Sequence, residues 1–152
     1  MRAVVQRVSE ARVVVDAEPV GEIGPGLCVL LGVAREDDAV AAERLAGRVA
    51  RLRIFENERG KFDRSVLDTG GAVLVVSNFT LIADTARGNR PSFSDAAEPV
   101  QAELLYESFC TALRELSVPV ETGVFGARMR VDLANDGPVT VVLDTPEGGS
   151  AL

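Results

Sequence analysis

The chain has 152 residues, enough to bury a core in one folded unit, and a net charge of −7 that argues against a broad grip on phosphate backbones. It has no histidine and a single lysine, Lys61, which removes Ser-His-Asp and Cys-His catalysis and most zinc sites. Its hydrophobic fraction of 47% and charged fraction of 26% match an ordinary globular protein rather than a disordered chain.

No apolar run approaches the ~20 residues that span a bilayer. The opening MRAVVQRV has arginines inside its apolar run and no small-residue cleavage site, so it does not read as a signal peptide; a cytoplasmic chain is expected. MRAVVQRV and EARVVVD are β-branched runs, followed by a turn-rich stretch through Pro19, Gly21, Gly24, Pro25 and Gly26. GLCVLLGV reads as a strand buried on both faces. From Asp37 to about Arg53 the spacing predicts a helix that buries Ala42, Leu45, Ala46, Val49 and Leu52. Arg44, Arg48 and Arg51 lie opposite, as a solvated face, and Glu36, Asp37 and Asp38 sit at the positive end of the helix dipole.

RIFENERGKFD reads as a short strand and a turn, and GAVLVVSNFTL as the strongest strand of the chain. The loop ADTARGNRPSFSD carries Arg87 and Arg90. Pro99, at a favoured first helical position, opens a second helix burying Ala102, Leu105, Phe109, Ala112, Leu113 and Leu116. VPVETGVFG, ARMRVDLA and VTVVLD close the chain in β structure. Cys28 and Cys110 fall in apolar runs without metal-ligand spacing and read as buried free thiols of a reducing compartment. The whole predicts an α+β fold with a largely antiparallel, barrel-like sheet and two main helices, one domain over 1–145 and a disordered tail over 146–152. No GxGxxG or Walker pattern is present.

Two stretches stand out. In Ser77-Asn78-Phe79-Thr80, strand alternation would put Ser77 and Phe79 on one face, and Asn78 and Thr80, a carboxamide and a hydroxyl, side by side on the other. Such groups at a strand end also serve simply to satisfy local backbone. In Asn135-Asp136-Gly137-Pro138, strand-like runs flank what reads as a tight turn, with a proline where the second strand should begin.

Together VVSNFTL and NDGPVT resemble the two signatures, SQFTL and NxGPVT, of the D-aminoacyl-tRNA deacylases. The resemblance extends through MRAVVQRV, GEIGPGLCVLLGV, RIFENERGKFD and RGNRPSF, nearly the whole chain. It implies hydrolysis of the ester between a D-amino acid and the terminal adenosine of tRNA, and of glycine wrongly attached to alanine tRNA. It also implies a homodimer without cofactor or required metal, in which each subunit inserts a cis Gly-Pro pair into its partner's pocket. Here that pair would be Gly137-Pro138, supported across the dimer by Arg7 and Asn135. Ser77, Asn78, Phe79 and Thr80 would surround the adenosine and the ester, Thr80 and Asn78 as the catalytic groups, and Met129 would line the pocket. The family's glutamine is Asn78 here, one methylene shorter, which puts in question any contact needing the longer reach.

A threonine hydroxyl without a base is a weak nucleophile. The expectation is therefore that Thr80 orients, while the substrate's own ribose hydroxyl helps activate water. Rigid backbone oxygens beside Pro138 would block L side chains while passing D residues and glycine. The partner is then RNA gripped at its last nucleotide, with neither DNA nor membrane expected. Three rival readings are a non-catalytic RNA-binding barrel using Arg7, Arg87 and Arg90, an editing domain for mischarged L-amino acids, and a metal hydrolase built on Asp63, Asp84 and Asp95.

Overall fold

Strand β1 (Arg2–Val15) organises the computed structural model, which describes residues 1–146. Its first half pairs antiparallel with β3 (Gly26–Gly32) and its second half with β2 (Glu18–Ile23). Along its other edge runs a single long strand, β8 (Arg130–Asp144), also antiparallel. The β1–β2 hairpin turns through Asp16 and Ala17 at φ 50° and 66°, the left-handed pair that a two-residue loop demands.

Helix α1 (Ala39–Arg51) follows β3, and the short β4 (Phe55–Glu56) and β5 (Phe62–Arg64) form a separate two-stranded sheet. After a single helical turn, α2 (Val66–Thr69), β6 (Ala72–Ser77) lies parallel beside β3. Helix α3 (Pro99–Glu115) then carries the chain to β7 (Val120–Thr122), parallel to β6. The α+β class and the two main helices match expectation. The sheet, however, is mixed: among the described residues the pairs β3–β6 and β6–β7 are parallel, because α1 and α3 are crossover connections and not hairpin links. The β7 strand comes back beside β2, nearly closing the barrel. The approach requires Gly21, where a Cβ would lie 2.2 Å from the Thr122 carbonyl oxygen.

Strand periodicity divides the core. Leu27, Val29 and Leu31 of β3, with Val73 and Val75 of β6, pack beneath α1 and α3. Cys28, Leu74 and Val76 face the barrel side with Val8, Ala11 and Val13. On α1 the buried positions are Ala42, Leu45, Ala46, Val49 and Ala50; Leu52 is the half-buried C-cap. Asp38 is the N-cap, accepting from the Ala41 N–H at 2.9 Å. Asp37 instead turns inward, its carboxylate accepting from the Ala34 N–H at 2.7 Å and meeting the Met1 ammonium at 2.6 Å. The arginine face of α1 is not wholly solvated: Arg48 donates to the Asp144 carbonyl at 2.9 Å, tying the helix to the end of β8. Both cysteines are buried free thiols. No helix among the described residues is long and apolar enough to cross a membrane. The tail expected over 146–152 lies, past Pro146, outside the described residues.

Candidate active site

The parallel strands β3 and β6 end side by side, and beyond their carboxyl ends opens a cleft of about 850 Å³. Its floor is apolar, with Leu30, Val76 and Val131 from the sheet, Met129 just before β8, and Ala102 and Tyr106 from α3. Ser77 and Asn78 bring polar groups to it, and Phe79 and Phe93 stand at its edge. An apolar body with a few converging polar atoms is the common form of a small-molecule site.

The way β6 ends sets the polar geometry. The Asn78 N–H still donates to Leu31 O at 2.8 Å, the last rung of the β3–β6 ladder. The chain then tightens into a 3-10 turn, Phe79–Ile82, so strand alternation does not run on to Thr80, while Ser77 and Phe79 both line the cleft. Gly32 lets the turn sit directly on β3: a Cβ there would lie 3.1 Å from Asn78 O and 3.0 Å from the Leu81 side chain. Arg2 braces the turn from outside, donating to Leu81 O at 3.3 Å while its Nε bonds Asp144 at 2.7 Å. Asn78 and Thr80 do end side by side, though by this turn and not by strand pleat, with the Thr80 hydroxyl donating to the Asn78 carboxamide oxygen. With that oxygen occupied, the Asn78 N–H2 is the part of the carboxamide left to donate. Asn78 lines the cleft, whereas Thr80 stands behind it, exposed, and touches the site through that bond.

Phe79 is 59% exposed, its ring held edge-on at 5.1 Å by Phe93. No lining group is poised as a base. Burial raises the Tyr106 hydroxyl well above the usual tyrosine range, and that hydroxyl donates to Val75 O at 2.9 Å. The one carboxylate on the lining, Glu98, is paired at 3.8 Å with Arg35 at the rim. Among the described residues, Asp63, Asp84 and Asp95 form no metal-holding group.

The second motif lies elsewhere. Asn135-Asp136-Gly137-Pro138 is no hairpin turn, because β8 continues through it along β1. Gln6 pairs with Thr140 and Val8 with Asn135, so residues 136–139 bulge out opposite Arg7 alone. Asn135 closes the bulge at its base. Its amide donates to Val139 O at 3.0 Å and Arg7 O at 3.1 Å, and its oxygen accepts from the Val139 N–H at 3.2 Å. Arg7, 8% exposed, donates through Nε to Asp136 O at 2.9 Å and through Nη1 to Ile54 O at 2.8 Å. Both residues, expected to support the loop across a dimer, thus already hold the loop of their own chain. A nearly buried Arg7 also leaves the RNA-binding-barrel reading without one of its three cations. The Gly137–Pro138 peptide is cis, and Asp136, Gly137 and Pro138 are exposed. None of the three lines the cleft of its own chain.

Residues 4–144 match the sequence profile of a family described as D-Tyr-tRNA(Tyr) deacylase. The chain belongs to the D-aminoacyl-tRNA deacylase family. A relative from Deinococcus radiodurans, named D-aminoacyl-tRNA deacylase, is 60% identical over 144 residues, 95% of this chain and 99% of that one. Another of that name from Symbiobacterium thermophilum is 59% identical over 145 residues, 95% and 96% of the two chains. Among solved structures, one titled c-Myc DNA Unwinding Element Binding Protein superposes with a TM-score of 0.90 at 43% identity, covering 96% and 99% of the two chains. A probable eukaryotic D-amino acid tRNA deacylase, at 17% identity and a TM-score of 0.80, shares the fold over 93% and 97%.

The family signatures thus fall on two separate structures of this chain, a cleft rim and a braced bulge. Ser77, Asn78, Phe79 and Met129 come together at the cleft; Arg7, Asn135, Gly137 and Pro138 come together at the bulge. Phe93, Tyr106 and Arg2 were not among the site residues expected from sequence. Tyr106, the sole tyrosine, stands four residues after Ala102 on the buried helix face, a signal that was available. Phe93 and Arg2 owe their places to tertiary contacts with no local pattern.

Proposed function

We propose that this chain hydrolyses the ester of D-aminoacyl-tRNA, releasing a free D-amino acid and tRNA, and that it also clears glycine from alanine tRNA. Family membership supports the reaction class. The observation that carries the chemistry is the Thr80–Asn78 pair at the mouth of an apolar cleft: the carboxamide oxygen is occupied, so its N–H2 is the group left to donate. In this reading a water oxygen attacks the ester carbonyl carbon, and the carbonyl oxygen gains charge against the Asn78 N–H2. The bond to the ribose oxygen then breaks. A proton from the attacking water reaches that oxygen by way of the neighbouring ribose hydroxyl, so the protein needs neither base nor metal.

Selection is assigned to the bulge. Two copies of the chain associate, and each places its Gly137-Pro138 backbone in the other's cleft. The exposure of residues 136–138, their absence from their own cleft and their bracing by Asn135 and Arg7 support this arrangement. A backbone segment anchored on both sides, at Asp136 O by Arg7 and at Val139 by Asn135, cannot swing aside, so an L side chain meets a wall where a D residue or glycine meets none. The work belongs in the cytoplasm, where aminoacyl-tRNA is used.

The test is ester loss from D- and L-tyrosyl-tRNA with and without a chelator. Rapid loss of the D ester alone, unchanged by chelator, is expected. Equal loss of both esters, or activity abolished by chelator, contradicts the proposal.

A further inference from the structure

The β4–β5 hairpin touches the core only through the half-buried Phe55, and nothing in the chemistry above uses it. A two-stranded hairpin is marginal on its own. This one is held by Arg7, the residue that also holds the bulge: Nη1 binds Ile54 O at 2.8 Å, Nη2 lies 3.7 Å from the Glu56 carboxylate, and the guanidinium sits 5.6 Å from the Phe62 ring centroid. One side chain therefore fixes the hairpin and the Gly137-Pro138 bulge as neighbours.

The tip is also built. Asn57 Oδ1 accepts from the Arg59 and Lys61 N–H groups at 2.8 and 3.1 Å, the Asn57 N–H donates to Lys61 O at 2.8 Å, and Gly60 takes φ 71°. This turn leaves Arg59 and Lys61 exposed, neither with a carboxylate partner among the described residues; of the hairpin's acids Glu56 lies by Arg7, Asp63 pairs with Arg53, and Glu58 adjoins Arg59. Phe62, next in the chain, is 54% exposed with the guanidinium against it. An exposed aromatic ring flanked by unpaired cations is what single-stranded nucleic acid uses, a base on the ring and phosphates on the cations.

We propose that Phe62, Arg59 and Lys61 form a contact for the single-stranded 3′ end of the tRNA, delivered with the bulge to the rim of the other copy's cleft. This rests on the reading of the substrate given above. In a chain of net charge −7, it supplies a local cationic foothold without a basic surface.

The test is the KM for D-tyrosyl-tRNA measured against salt. Replacing both cations (Arg59→Glu with Lys61→Glu) should raise KM about tenfold and flatten the log–log salt slope by about 0.7 for each phosphate no longer neutralised. Phe62→Ala should raise KM about tenfold with the slope unchanged, and Phe62→Tyr should restore it. Variants matching the parent within twofold in KM and slope would overturn the proposal, as would a Phe62→Ala effect seen only as new cleavage of L-tyrosyl-tRNA, which would make Phe62 a mere prop for Arg7. A parent chain inactive on D-tyrosyl-tRNA defeats the substrate reading itself, a distinguishable result that takes this contact down with it.

Discussion

The proton of the Thr80 hydroxyl is committed to the Asn78 carboxamide oxygen, and no lining group stands ready to remove it. On the proposed reading, a hydroxyl so placed orients its neighbour and does not attack. Losing one orienting hydrogen bond costs about 1 kcal/mol, so Thr80→Ala should lower kcat only about fivefold, and Thr80→Ser should recover it. Loss of activity by several orders of magnitude, or an acyl group trapped on Thr80 by mass spectrometry, would contradict this role. Much of this was legible in the sequence, since a hydroxyl and a carboxamide two residues apart at the end of an apolar run announce a pair. Alternation gave the right neighbours for the wrong reason, because the 3-10 turn at Phe79–Ile82 replaces the strand pleat. The shorter Asn78 still reaches Thr80, so the departure from the family's glutamine does not break this contact.

The informative element is β8, whose bulge the sequence disguised as a hairpin turn. Two β-branched runs around Asn-Asp-Gly-Pro look like two strands, and nothing local tells that both pair with the same long partner. Only the register against β1 makes residues 136–139 an insertion opposite Arg7. Asn135 completes that insertion, and Asn135→Ala would leave the Val139 N–H and C=O without their partner. The variant should lose about 1–3 kcal/mol in urea denaturation. It should also cleave L-tyrosyl-tRNA measurably, as the bulge loosens. Unchanged stability together with unchanged rejection of the L ester would show that the bulge needs no such support.

Over the whole molecule, class, helix positions and core faces followed from periodicity, since 3.6- and 2-residue patterns report burial directly. Parallel pairing did not, because whether a helix links hairpin-like or crossover strands depends on contacts distant in sequence. The same core makes a pH prediction. Burial raises the Cys28 and Cys110 thiols from an ordinary 9.0 to about 11. The unfolded chain therefore releases these protons first as pH rises. The associated stability is complete below pH 9.0 and is lost toward about 11. Denaturation midpoints should fall across that window, and native thiols should resist alkylation at pH 8, in contrast to the unfolded chain; a flat profile would contradict their burial. The central claim, that backbone and not a reactive side chain selects the acyl group, is tested most directly by one tRNA carrying three esters. With alanine tRNA charged with glycine, D-alanine or L-alanine, the account predicts comparable initial rates for the first two and a rate lower by at least about a hundredfold for L-alanine, which adds only a methyl. Cleavage of the L-alanyl ester within about threefold of the glycyl ester would contradict it.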